Sequence, residues 1–227
     1  MDEKYWGEFR EAGERSLNRS TLNAWEAATL DFMLEGATEQ ASPSVDACRD
    51  ILETRREALR FRPGATASAV ACAPTHIWLC HLLGLRTETS LVTIGDVIVN
   101  GTPLFGTTLQ YLDEELRNPS DGEFRAHVWL TLPNRGVWDA TLAFRLAPPH
   151  KRDVRGSGLL DVPFVPAART HKARGPAGHN VRAVSGKQYR VRWAPLLVGE
   201  EALYRMRVLQ QELEPVDPRP AHLRDVR

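Results

Sequence analysis

Cys72, His127 and Asp139 are the side chains in this 227-residue chain whose types and surroundings suit a nucleophile, a base and an orienting acid. Pro74 has no N–H to give and is tolerated only in the first turn of a helix, so the stretch "VACAPTH" puts Cys72 at or next to a helix N-cap. Unpaired amides and the positive end of the helix dipole favour a thiolate at such a position. A thiolate nucleophile in turn needs a base to take and return a proton, and a third group to orient that base. His127 in "HVWLTL" and Asp139 in "GVWDATLAF" each interrupt a run of apolar and β-branched residues. A buried Asp there must find a partner, and an imidazole on the neighbouring strand would serve.

Strand parity limits whether the two can meet. Side chains alternate faces along a strand, so His127 and Asp139 share a face only if the loop between their strands has an odd number of residues or a bulge intervenes. A plain four-residue loop "PNRG" would separate them. Trp129 falls on the face of His127 and is the substrate-binding candidate, with core membership as its alternative. A competing set, Cys72, His76 and Cys80, lies on one helical stripe and could offer soft ligands to zinc. Its members span about 12 Å at 1.5 Å per residue, too far for one ion. Cys48 and Cys80 each lie among apolar residues and are expected to be inert core thiols. No role is assigned to His150, His171, His179 or His222.

The elements that must hold these residues follow from periodicity. From Tyr5 to about Arg62 the pattern is helical, with Leu22, Trp25, Ala28, Leu30, Phe32 and Met33 on one expected apolar stripe. A break at 36–44 precedes a second helix over "VDACRDILETRREALR", with Ser44 as a possible cap. After a loop at 62–68, "AVACAPTHIWLCHLLG" predicts the helix of Cys72, closing at Gly84 through a left-handed cap. Strands are expected at 89–101, 124–132 and 136–144, with a helical turn or two at 110–118. Residues 146–180 form a long loop region that could hold a short strand in "LLDVPFV". "KQYRVRWAPLLVG" alternates as a half-buried strand. A last helix opens at Glu200 and Glu201, and 215–227 form a frayed end. Helices segregated from an antiparallel sheet predict an α+β fold. A single domain is expected over 1–227, with a helical part at 1–62, a catalytic core at 63–145, and loops, strand and helix at 146–227.

Composition narrows the partners. Lys plus Arg and Asp plus Glu are equal at 29 each, so nothing favours nucleic acid or an anionic membrane. The chain leans basic towards its end, where the charges alternate with apolar residues as on a solvated face. There is neither a basic-then-apolar leader nor a run of about 18 apolar residues, so a soluble, cytoplasmic protein is expected. Three cysteines without a CxxC pair do not make a disulfide framework. No Gly-rich phosphate loop follows a strand, and no cofactor is expected.

The helix that begins near Cys72 and ends "LLGLRTE", the strand "HVW" and the following "VWDAT" together resemble the transglutaminase-like branch of the papain-like cysteine enzymes. The resemblance covers about residues 64–144. It implies an α+β fold in which the nucleophile helix packs on an antiparallel sheet bearing the His and Asp. It also implies thioester chemistry on a peptide or glutamine side chain, with the acyl group passed to an amine or to water. Cys72 would then be the nucleophile, His127 the general base and acid, and Asp139 the orienting acid. Many members carry an aromatic residue after the Cys and a glycine shortly before it, where this chain reads "VACAPTH". Arylamine N-acetyltransferases use the same three residue types in a less similar context. Outside enzymes, the alternatives are a catalytically silent papain-like module binding a protein or peptide, and a zinc-stabilised interaction domain.

Overall fold

The computed structural model describes residues 3–35, 72–85, 89–121, 123–133, 136–142, 146, 164–165, 179–182 and 187–209. The expected helix at 45–60 with Cys48, the loop at 62–68 and most of 146–180 lie outside these residues. The described elements are α1 (Glu3–Asn18), α2 (Ala24–Leu34), α3 (Cys72–Leu85), β1 (Leu91–Val99), β2 (Thr102–Pro103), α4 (Leu109–Arg117), β3 (His127–Thr131), β4 (Val137–Trp138), β5 (Phe164–Val165), β6 (His179–Arg182), β7 (Gln188–Val198) and α5 (Glu200–Arg205). Among the described residues all strand pairings are antiparallel, in the order β5-β4-β3-β1-β7-β6, with β2 paired to β1. Helices and antiparallel sheet together make an α+β fold. Among the described residues no helix is long and apolar enough to cross a membrane.

Both faces of the sheet are buried. Val128, Leu130 and Leu132 point to one side and join Ala73, Leu79 and Leu83 of α3, Leu112 of α4 and Leu203 of α5. Trp129 points to the other side with Val97, Val191 and Trp193, beneath Tyr5, Trp6 and Phe9 of α1 and Leu30 and Met33 of α2. Each large side chain buried in this way is worth roughly 1.5–3 kcal/mol. A polar thread runs through the second layer: Trp129 Nε1 donates to Tyr5 Oη at 2.9 Å, and the Thr131 hydroxyl bonds both Tyr5 and Thr93. These buried polar atoms are thereby satisfied.

Several boundaries differ from the sequence reading. On α2 the buried residues are Glu26, Thr29, Leu30 and Met33, whereas Trp25 and Phe32 are exposed. The rotation is set by a capping box, in which the Asn23 side chain accepts from Glu26 N–H and Glu26 accepts from Asn23 N–H. Gly84 does not close α3, which runs through it to Leu85. β1 ends in a two-residue turn, Asn100-Gly101, with positive φ at both positions (52° and 89°), the type I′ geometry that suits Asn-Gly. The strand expected at 136–144 stops at Trp138, for a reason that belongs to Asp139.

Gly95 marks the joint of the sheet. It pairs with His127 on one side and Pro195 on the other, and the β1–β7 register shifts between Ile94 and Gly95. The bulge accommodates Pro195, which has no N–H for the ladder. A Cβ on Gly95 would collide with the Ala194 carbonyl oxygen and lie 2.9 Å from the Trp129 ring. Backbone cannot yield there, so Gly95→Ala is expected to lower stability by roughly 3 kcal/mol, seen as a reduced midpoint in urea unfolding.

Candidate active site

The hairpin between β3 and β4 settles the parity question. Leu130 pairs with Trp138 and Thr131 with Val137, and Leu132 N–H donates to the Gly136 carbonyl at 2.9 Å. Three residues, 133–135, are left to connect them, an odd number, so the residues of odd number on both strands share a face. His127 is the first residue of β3 and Asp139 follows β4 directly. His127 Nε2 meets Asp139 Oδ2 at 2.7 Å, with both side chains fully buried.

Asp139 performs two tasks with its two oxygens. Oδ1 accepts from the backbone N–H of Thr141 at 3.1 Å and of Leu142 at 3.0 Å, and from the Thr141 hydroxyl at 3.4 Å. This is the pattern of a helix cap, and it turns the chain out of the strand after Trp138. Oδ2 accepts from His127 and from Trp193 Nε1 of β7 at 2.9 Å. Burial alone would raise this carboxyl, but the charge and hydrogen bond of His127 outweigh it and hold Asp139 well below the usual carboxylate range.

The same balance acts on His127. Burial opposes its charged form, yet the Asp139 charge and hydrogen bond, followed by Cys72, push it up to about 10. The Asp139 carboxylate can only accept, so Nε2 carries a proton and Nδ1 is the nitrogen left for acid–base work. Among the described residues Nδ1 is buried with no hydrogen-bond partner. Cys72 lies on α3, and its sulfur lies 4.0 Å from the carbonyl of Ala126, immediately before His127. The thiol is 3% exposed. The structure therefore pairs His127 with Asp139 and sets Cys72 at the carbonyl that precedes His127.

Trp129 has the placement of its alternative, a core residue. It is fully buried, lies 6.1 Å from the His127 ring between centroids, and gives its N–H to Tyr5, so it acts as core behind the base. The zinc constellation does not converge either. His76 Nδ1 donates to the Cys72 carbonyl at 2.7 Å and its Nε2 accepts from Ala140 N–H at 2.9 Å. Cys80 is bonded to Ser90, and burial pushes its thiol up to about 12 despite that bond, as expected of an inert core cysteine.

Four further side chains bear on the site. Trp193 stands in the alternation of β7, which signals burial but not its bond to Asp139. Phe105 is half-buried and stacks on the His127 ring at 5.5 Å and 11°. It is carried on an arm gathered by Asp96, whose carboxylate accepts from the N–H groups of Val97, Phe105 and Thr107. Thr107 also donates to the Arg125 carbonyl at 2.7 Å, fixing the arm to the approach to β3. Nothing in the local sequence of "TPLFGTT" announces this role.

Neither a family model, nor a curated protein, nor a solved structure matches the chain.

The raised His127 stabilises the fold fully below its ordinary value of 6.5, and that contribution is lost as pH rises towards about 10. The depressed Asp139 contributes above its ordinary 3.8, and this is lost as pH falls below it. Urea midpoints should accordingly decline from pH 7 to 10. Asp139→Asn should flatten that decline and cost roughly 3–5 kcal/mol at pH 7, the cost of breaking a buried pair.

Proposed function

We propose that the chain is a cysteine enzyme of the transglutaminase-like, papain-like kind, cleaving or transferring an acyl group from an amide through a thioester on Cys72. The observation that carries this reading is the buried His127, with Asp139 on one ring nitrogen, no hydrogen-bond partner on the other, and Cys72 beside it. Chain order Cys, His, Asp and a nucleophile helix on an antiparallel sheet agree with the resemblance in "VACAPTH", "HVW" and "VWDAT".

The steps follow from the residues. With the proton on His127 and the charge on sulfur, the thiolate attacks the carbonyl carbon and a C–S bond forms. The developing oxyanion needs preorganised donors of the kind backbone N–H groups supply. As the C–N bond breaks, the His127 imidazolium gives its Nδ1 proton to the leaving amine, and a thioester remains on Cys72. Water or a second amine then attacks the thioester while His127 takes its proton, and the thiolate leaves. Asp139 keeps its charge throughout and holds the ring, as orienting acids do. Phe105 and Trp129 both pack on the imidazole, which limits water around the proton transfer.

The near-complete burial of Cys72 and His127 favours one second reading, a catalytically silent module of the same design that binds a protein or peptide.

Iodoacetamide distinguishes the two. Near pH 6, peptide mapping should find Cys72 modified at least about tenfold faster than Cys48 or Cys80, and His127→Ala should remove the difference. With a glutamine-containing peptide and a fluorescent amine, incorporation of the amine marks transfer and ammonia without incorporation marks hydrolysis. Equal, slow alkylation of all three thiols together with no acyl adduct on Cys72 would leave the binding module as the better reading.

A further inference from the structure

We infer that His76 is a positioning residue, a neutral clamp that ties the nucleophile end of α3 to the turn of the orienting acid. The inference rests on the thiol-enzyme reading for its catalytic meaning, while the clamp itself stands on geometry. His76 is fully buried. It lies one helical turn after Cys72, and its Nδ1 reaches back to the Cys72 carbonyl at 2.7 Å. Its Nε2 meets the backbone N–H of Ala140, the residue after Asp139, at 2.9 Å. One imidazole thus spans the two segments whose separation sets where the thiol stands relative to the His127–Asp139 pair.

The hydrogen-bond inventory fixes the state of the ring. A carbonyl only accepts, so Nδ1 carries the proton; a backbone amide only donates, so Nε2 presents its lone pair. Both nitrogens are in use, and His76 is neither a second base nor a metal ligand. A proton on Nε2 would set N–H against N–H at Ala140, while Asp139 Oδ1 lies 3.8 Å away. With Nε2 held by Ala140, the direct hydrogen bond to Asp139 falls to His127, whose ring centroid is 6.4 Å distant.

Substitution separates the two bonds. In His76→Gln the side-chain oxygen can still accept from Ala140 N–H; in His76→Asn the amide can reach only the Cys72 carbonyl; His76→Leu keeps the volume and loses both. Each full-length variant is treated with iodoacetamide over pH 5–9, and the Cys72 rate is taken relative to Cys80. The Leu variant should lose about tenfold or more of the Cys72 rate, in keeping with the sensitivity of reacting groups to small displacements, with a shifted pH profile. Gln should restore most of the rate and Asn less. A folded Leu variant with the wild-type rate and profile would overturn the inference, as would Gln and Leu being equally slow. Should the Leu variant fail to fold, the order of Gln over Asn decides.

Nitrogen-15 spectra of the wild-type protein give a readout independent of reactivity. His76 should stay in the Nδ1–H neutral tautomer across this range, and a cationic or Nε2–H form would overturn the clamp. If wild-type Cys72 is no more reactive than Cys80, the thiol-enzyme reading fails, while this spectrum still decides the state of His76.

Discussion

The carboxylate of Asp139 is the constraint on which the site depends. An ionised carboxylate removed from water needs near-complete compensation, and Asp139 receives it from five donors supplied by Thr141, Leu142, His127 and Trp193. Those donors come from the turn after β4, from β3 and from β7. Satisfying one charge therefore draws three parts of the sheet to a single point. The same compensation keeps the charge in place, and a fixed negative charge is what makes a fully buried histidine a cation rather than a neutral ring.

Rigidity around that point comes from both layers. The α1 layer stands behind His127 through Trp129 and Tyr5, so the imidazole rests on packed core rather than on a loop. The α3 layer delivers Cys72 from the start of a helix whose other face is seated on β3. Gly95 lets Trp129 lie flat against the strand, and the Asp96 arm lays Phe105 over the imidazole. Reacting groups gain from such support because side chains locked by packing and by further hydrogen bonds hold geometry that mobile loops do not.

Much of this was legible in the chain itself. The helical grammar of "APTHIWLCHLLG" announced α3; the polar interruptions at His127 and Asp139 marked the pair that meets. The parity condition was readable, but its answer was not, since it turned on whether Gly136 belongs to the loop or to the ladder. The end of β4 was misplaced because β propensity in "VWDATLAF" continues past Asp139, whereas a cap made by that side chain overrides it. The α2 stripe was misjudged for a related reason: apolar spacing left several faces open, and the capping box with Glu26 chose one. Contacts between distant segments, such as Trp193 with Asp139 or Phe105 with His127, have no local signature at all.

The position of β7 has a consequence for how the molecule comes into being. It lies inside the sheet, between β1 and β6, and α1 packs against it from the far end of the chain. A polypeptide emerging from the ribosome as far as β4 holds Cys72, His127 and Asp139, yet lacks Trp193 and the strand that completes the floor under α1. Contacts of such long sequence separation form late and slowly. The His127–Asp139 pair is thus completed late: its Trp193 donor and the strand that carries it arrive only once most of the chain has been synthesised.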